Sequence, residues 1–398
     1  MKSMLTRSFA LFLLAVGLLS LPAAREARAE GSDFEVYGFA HFDYVQDFNR
    51  VNPAWASTLR PSRIPTTDGA YGADGQAVLS ARQSRLGAMG TIPTESGDVF
   101  AKFEFDMFGV GADEGQTTIR LRHAYGTYKG WLAGQTNTLF MDADLFPNVV
   151  DYWGPSGMVF LRNPQLRYTK TMTDNSFAIA IEHPSGDIDV SDQVRDIDPE
   201  LNVVAVSKVP DLTAQFRSNH GWGHFQLAGI LRKIGYETPN VLGNTPKGDK
   251  TGAGADLSLN LKVKDSNTIR LGAVVGNGIA NYMNDGGTDL APDGTITSVV
   301  PKAVPLQGYI AYLDHNWSKK VSTSLGYSRT QVTNTSLQDP DAFHLGEYAS
   351  VNVIYAPNSK VFFGAEGLWG QRTDNGGAIG NDRRVQFSAH YAFSSKSQ

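Results

Sequence analysis

The sequence predicts an all-β fold, a transmembrane antiparallel β-barrel of about sixteen strands with its third loop folded inward. Three observations predict it. Apolar and polar residues alternate with period two over much of the chain. Tight turns and long polar loops follow one another between the alternating stretches. The chain opens with an export segment, and its 398 residues include no cysteine.

The export segment comes first. Lys2 and Arg7 give it a positive start, an apolar run extends from Phe9 to Leu21, and Ala27-Arg28-Ala29 is an A-x-A cleavage site. The run is short for a membrane-spanning helix, so an uncleaved anchor is the weaker reading. Residues 1–29 are expected to be removed, leaving 30–398 as a single barrel domain. Cleavage leaves 31 basic and 39 acidic residues and takes the formal charge from −5 to −8. An acidic chain argues against a nucleic-acid partner. Without cysteine there is no disulfide, thiolate-bound zinc, Fe–S cluster or thiol nucleophile. The 41 glycines, 21 Phe, 15 Tyr and 6 Trp favour strands and turns.

Strands are expected over 34–46, 77–91, 98–108, 116–129, 131–139, 163–173, 176–184, 210–219, 222–236, 253–264, 267–277, 305–315, 320–332, 343–356, 360–372 and 383–393. Short turns fall near Glu95-Ser96-Gly97, Lys129-Gly130, Thr173-Asp174-Asn175, Asn219-His220-Gly221, Asp265-Ser266, Asn316-Trp317-Ser318 and Pro357-Asn358-Ser359. The even count puts both termini on the periplasmic side. The strand-like stretch Val203–Val206 is assigned to a long loop, because the count requires it. Within the strands, Ala101, Phe103, Phe105 and Met107 alternate with Lys102, Glu104 and Asp106. Ile119, Leu121 and Tyr125 alternate with Arg120, Arg122 and Ala124. A soluble sandwich or solenoid would bury the apolar face, whereas a membrane barrel sets it against lipid. Full charges such as Arg120 and Arg122 on the polar face suit a wet lumen, and about sixteen strands enclose an aqueous channel.

The last strand ends Tyr391-Ala392-Phe393 and resembles the C-terminal assembly signal of Gram-negative outer-membrane barrels, with the tail Ser394–Gln398 as a departure. Longer stretches occur in order: Arg82-Gln83-Ser84-Arg85-Leu86-Gly87, Gly134-Gln135-Thr136-Asn137, Leu145-Phe146-Pro147, Gly154-Pro155-Ser156-Gly157, Arg162-Asn163-Pro164-Gln165-Leu166-Arg167-Tyr168, Pro210-Asp211-Leu212 and 221–229. This ordered set resembles the DcaP-like trimeric porins over essentially the whole mature chain. The resemblance implies a homotrimer of sixteen-stranded barrels in outer-membrane lipid, passing small organic anions such as dicarboxylates. The N-terminal coiled-coil extension of some members has no counterpart ahead of the first strand.

Candidate site residues fall into two groups. Parity turns Arg85, Lys102, Arg120, Arg122 and Arg167 into the lumen, and Arg162 ends the third loop. Guanidinium groups are permanently charged and pair bidentately with carboxylates, and basic rings mark anion pores. These arginines also have Glu104, Asp106, Glu182 and loop acids to pair with. Arg217, Arg232, Arg270, Arg372 and Arg384 are placed inward as well and rank lower. The second group is loop 138–162, with Phe140, Asp142, Asp144, Asp151 and Trp153. Folded inward, it narrows the pore and sets acids opposite the wall; packed at a subunit contact, it does neither.

Other motifs are weak. His220 and His224 straddle a Gly-Trp-Gly turn and make a poor metal pair, and no metal or cofactor is expected. Gly109–Gly115 lacks the strand–helix setting of a phosphate loop. Asn284–Gly294 reads as a flexible outer loop without calcium spacing. Tyr37, Trp131, Tyr168, Trp317 and Trp369 fit interfacial girdles. The expected function is passive diffusion of small anions. A barrel enzyme of the lipase or protease type lacks a recognisable nucleophile–base pair, a plugged barrel lacks an evident plug, and a non-selective porin stays open.

Overall fold

The computed structural model describes residues 31–109, 118–196, 201–239 and 241–396. The strands are β1 (Asp33–Asp47), β2 (Gln76–Ser80), β3 (Arg85–Ile92), β4 (Val99–Asp106), β5 (Arg120–Tyr128), β6 (Trp131–Asn137), β7 (Arg162–Thr171), β8 (Asn175–Glu182), β9 (Val204–Ala205) and β10 (Asp211–His220). They continue as β11 (Gly223–Glu237), β12 (Gly248–Val263), β13 (Asn267–Asn277), β14 (Leu290–Thr295), β15 (Ser298–Ala303), β16 (Pro305–Asn316), β17 (Val321–Val332), β18 (Phe343–Asn358), β19 (Val361–Asp374) and β20 (Ile379–Ser394). One antiparallel sheet takes all but β14 and β15, and β1 pairs with β20 to close it. β2 and β3 both pair with β1 and make one stave, and β9 is a short addition to β11, so the barrel has sixteen staves. The count and antiparallel closure agree with the sequence reading.

Closure follows from the solvent. In hydrocarbon every backbone N–H and C=O needs an internal partner, and a closed sheet leaves no edge. The alternation then sorts side chains. On β12, Leu257 is 52% exposed on the outside while its neighbour Ser258 is fully buried on the lumen side. On β20, Phe387 is 50% exposed and Gln386 is fully buried. The seam runs from Tyr37 opposite Ser394 to Asp47 opposite Arg384, so the start of β1 and the end of β20 meet at one rim. Ser395 continues past the seam, donating its N–H to Val36 O at 2.8 Å, and Lys396 reaches Asp33.

Several sequence expectations are refined. The stave expected over 77–91 is interrupted at 81–84: Phe39 faces Arg85 and Asp43 faces Ser80, one residue more than β1 offers. There the Arg82 guanidinium turns to Ala54 O, Ser57 Oγ and Gly109 O. Val203–Val206 crosses no membrane, but Val204 and Ala205 do pair with the end of β11. β12 and β20 begin several residues before the expected starts, because their polar first turns pair beyond the apolar band where alternation fades. The connection before β16 carries the hairpin β14–β15.

Asn284–Gly294 is not a flexible outer loop. Asp285 and Asp289 are buried, Asp285 accepting from Ser62 N at 2.8 Å and Asp289 from Asp187 N at 3.1 Å. Tyr37 is not a girdle residue either; its hydroxyl donates to Glu104 inside the lumen at 2.7 Å. Trp131, Tyr168 and Trp317 are exposed.

The segment between β6 and β7 runs along the lumen face of the far wall. Phe140 and Met141 pack with Ile230, Val274, Leu306 and Val332. Leu145 and Met158 pack with Ile310, Tyr312, Tyr348 and Leu368, and with Leu59 and Ile64 of the first loop. At Gly157 the two backbones touch: a Cβ there would collide with the carbonyl oxygens of Tyr309 and Arg329. The inner face of this wall is therefore apolar, which explains why β16 reads as a near-continuous apolar run.

The lipid-facing role of the outer surface is checked at Leu257, near the middle of β12. Leu257→Arg should destabilise the barrel by about 2–4 kcal/mol. Urea unfolding in lipid vesicles measures this, and an unchanged midpoint would mean the residue does not face lipid.

Candidate functional site

The lumen holds a cavity of about 980 Å³. Arg85, Arg120, Arg122 and His123 form one side, Arg162 and Phe160 end the third loop beside them, and Arg60 and Arg63 enter from the first loop. Lys102 and Arg167 are not among its lining residues.

The cationic wall is built on two carboxylates of β4. Glu104 pairs with Arg122 Nε at 2.7 Å, Lys102 Nζ at 3.3 Å and Arg85 Nη1 at 3.5 Å. Asp106 pairs with Arg122 Nη1 at 2.8 Å and Arg120 Nη2 at 3.0 Å, and accepts from the Tyr152 hydroxyl. Four cations therefore share two carboxylates among the described residues. Arg162 has no carboxylate partner there and lies 4.7 Å from the Phe160 ring centroid. Arg167 bonds Gln165 Oε1 at 2.9 Å and Asn137 O at 2.6 Å.

A bulge assembles this wall. Glu104 faces His123 and Phe105 faces Leu121, which leaves Arg122 without a cross-strand partner. A bulge inserts one residue and breaks the alternation. Arg120, Arg122 and His123 consequently line the same cavity. Tyr125, opposite Lys102, turns inward, not to the outer face where strict alternation puts it.

The third loop is held by its own acids. Asp142 accepts from Ser258 Oγ at 2.6 Å, His224 at 2.7 Å and Arg217 at 3.2 Å, and Arg217 also pairs with Asp144 at 2.5 Å. Asp151 accepts from Thr58 Oγ1 at 2.7 Å, Leu59 N at 3.2 Å and Tyr348 OH at 3.3 Å. Phe140 is buried beside Tyr282. Trp153 donates to Asn284 O at 2.7 Å. Of the five, Asp151 and Trp153 line the cavity, whereas Phe140, Asp142 and Asp144 lie at the far-wall anchor.

The sequence matches the DcaP outer membrane protein family over residues 23–393. The chain belongs to that family. Its fold is similar to the outer membrane channel DcaP of Acinetobacter baumannii, at 23% identity over 92% of this chain and 98% of that one, with a TM-score of 0.78. More distant likenesses are the anion-selective porin from Comamonas acidovorans (9% identity, 91% and 100% coverage, TM-score 0.57) and OmpT of Vibrio cholerae (12%, 92% and 99%, 0.55). No curated protein matches the sequence. The DcaP-family barrel is an outer-membrane protein of Gram-negative bacteria.

In this DcaP-family barrel the remaining inward arginines are bound to acids. Arg232 pairs with Asp211 and Asp289, both at 3.2 Å, Arg270 with Asp314 at 2.7 Å, Arg372 with Asp374 at 2.6 Å, and Arg384 with Asp47 and Asp382. Arg217 lies among Asp142, Asp144 and His224, so a guanidinium already fills the one His/Asp cluster of metal-ligand spacing among the described residues. His220 stacks on Trp222 instead. Most of Gly109–Gly115 lies outside the described residues.

Arg60 and Arg63 escape sequence reasoning. Arg60 sits between Trp55 and Trp153, 4.3 and 4.2 Å from the ring centroids, and donates to Asp285 at 2.8 Å. Burial, reinforced by neighbouring Arg60, pushes the Arg63 guanidinium pKa down. Both follow from loop folding, which leaves no periodic trace; Arg60-Pro61-Ser62-Arg63 beside Trp55 is the only local cue.

The carboxyls of Asp142 and Asp151 are displaced from their ordinary pKa in opposite directions. Burial alone would raise the Asp142 carboxyl, but hydrogen bonds from His224 and Ser258, with the Arg217 charge, hold it below its ordinary value. Burial raises Asp151, and its hydrogen bonds offset this only in part. Asp142 thus supports the anchor fully above the ordinary carboxylate range near about 4. That support is lost as pH falls through its lowered value. Single-channel recordings should grow noisy below about pH 4. Asp142→Asn should be noisy already at neutral pH; a quiet variant would show that this carboxylate does not hold the loop.

Proposed function

We propose that this barrel is a passive outer-membrane diffusion channel favouring small organic anions, dicarboxylates among them. The observation that carries the reading is the charge surplus of the cavity. Arg85, Arg120 and Arg122 line it and share Glu104 and Asp106 with Lys102 behind them, and Arg162 and Arg63 line the same space with no carboxylate partner among the described residues. A desolvated guanidinium binds a carboxylate tightly enough to attract it, and competing internal acids keep the binding weak enough for release. The names of two relatives, an outer membrane channel and an anion-selective porin, support the reading.

The proposed working form is a homotrimer. Outside β3–β6 one row of residues in register is small throughout: Gly90, Ala101, Gly126 and Ala133. Such a surface lets a second barrel approach closely and offers lipid little to pack against. OmpT of Vibrio cholerae, a fold relative, has a trimer form. Residues 1–29 act as the export signal in this reading.

Bilayer recording in a KCl gradient, with and without succinate, tests the proposal. Three-step conductance, an anion-leaning reversal potential and transient succinate block are expected. Arg120→Ala with Arg122→Ala should move the reversal potential toward zero. Arg162→Ala should weaken succinate block by about tenfold. A cation-leaning reversal in the unmodified protein would overturn the anion preference and leave a general pore; no conductance would overturn the channel.

A further inference from the structure

The arginine-lined cavity is also lined by carboxylates that no cation neutralises. Asp187 and Asp189 stand on the segment that leaves β8. That segment runs to the connection between β17 and β18, where Gln338 Nε2 donates to Asp189 at 3.0 Å and Asp192 N to Asp339 at 2.7 Å. It therefore links two well-separated parts of the barrel rim as a strap. Asp187 is exposed, and its N–H donates to Asp289 at 3.1 Å. The cation at that point, Arg232, is held by Asp211 and Asp289, both fully buried. That guanidinium is thus already shared by two carboxylates. Among the described residues, neither Asp187 nor Asp189 has a cationic partner.

The other lining carries the opposite imbalance. Its clearest member is Arg162, whose Nε is buried without a hydrogen-bond partner. Both surpluses face one cavity of about 980 Å³. A simple anion gains from the arginines and is repelled by the strap. A solute with an anionic head and a cationic tail complements both. We propose that the channel prefers zwitterionic carboxylates, ω-amino acids foremost, to simple carboxylates of the same length. This rests on the anion-channel reading of the same cavity: the carboxylate head uses the arginines, and Asp187 and Asp189 receive the ammonium tail.

Swelling of liposomes holding the full mature protein measures the preference. The probes are γ-aminobutyrate, butyrate and succinate at equal osmolarity. The γ-aminobutyrate rate should exceed the butyrate rate by about two- to fivefold. Asp187→Asn with Asp189→Asn should remove that excess, while the succinate rate holds or rises. Asp187→Glu should retain it, and heat-modifiable gel mobility shows that each variant has folded. Equal rates in the unmodified protein, or an excess that survives the double substitution, would overturn the proposal and leave the anion channel standing. Failure of all three solutes to enter would instead remove the channel reading itself.

Discussion

A chain that crosses hydrocarbon must satisfy every backbone polar group internally, and a sheet can do so only by closing on itself. The pairing of β1 with β20 is that closure. From it follow the outward Leu, Val and Phe, the inward Ser, Gln and Asp, and a lumen wide enough to need filling. Segments outside the strands do the filling. The third loop, the first loop and residues 279–289 pack together inside, and two buried apolar clusters join them to the wall.

Charge inside the barrel divides into two uses. Most acidic side chains hold structure. Asp142 and Asp151 secure the third loop, Asp285 fixes Arg60 between two tryptophans, and Asp211 and Asp289 enclose Arg232. Buried pairs of this kind contribute little net stability against apolar replacements, but removing one partner strands a charge. What remains after these pairings is the cationic surplus of the β3–β5 wall and Arg162. Net charge conceals this, since the whole chain is acidic while the wall is cationic.

The barrel was legible because lipid imposes a two-residue period that few other solvents impose. Leu257 beside Ser258, or Phe387 beside Gln386, states the inside and the outside directly. The cavity was legible only where strands build it. Arg85, Arg120 and Arg122 follow from parity, whereas Arg60 and Arg63 depend on the path of a loop, which no local pattern records. Tyr125 was misplaced because a bulge has no signature in an alternating sequence. The acids of the third loop were visible as residues, but their partners on β10, β11 and β12 are distant in sequence.

The bulge at Arg122 carries a consequence for how such a pore diversifies. The wall's composition is a matter of chain length as well as of residue identity. Deleting one residue at the bulge would restore regular pairing and cost the lumen one inward side chain, while the residues on either side keep their facing. Substitutions change which side chain stands on this wall; a single-codon deletion at the bulge changes how many positions the wall has. Over evolutionary time the bulge is therefore the place where β5 can change length and keep the facing of its other side chains.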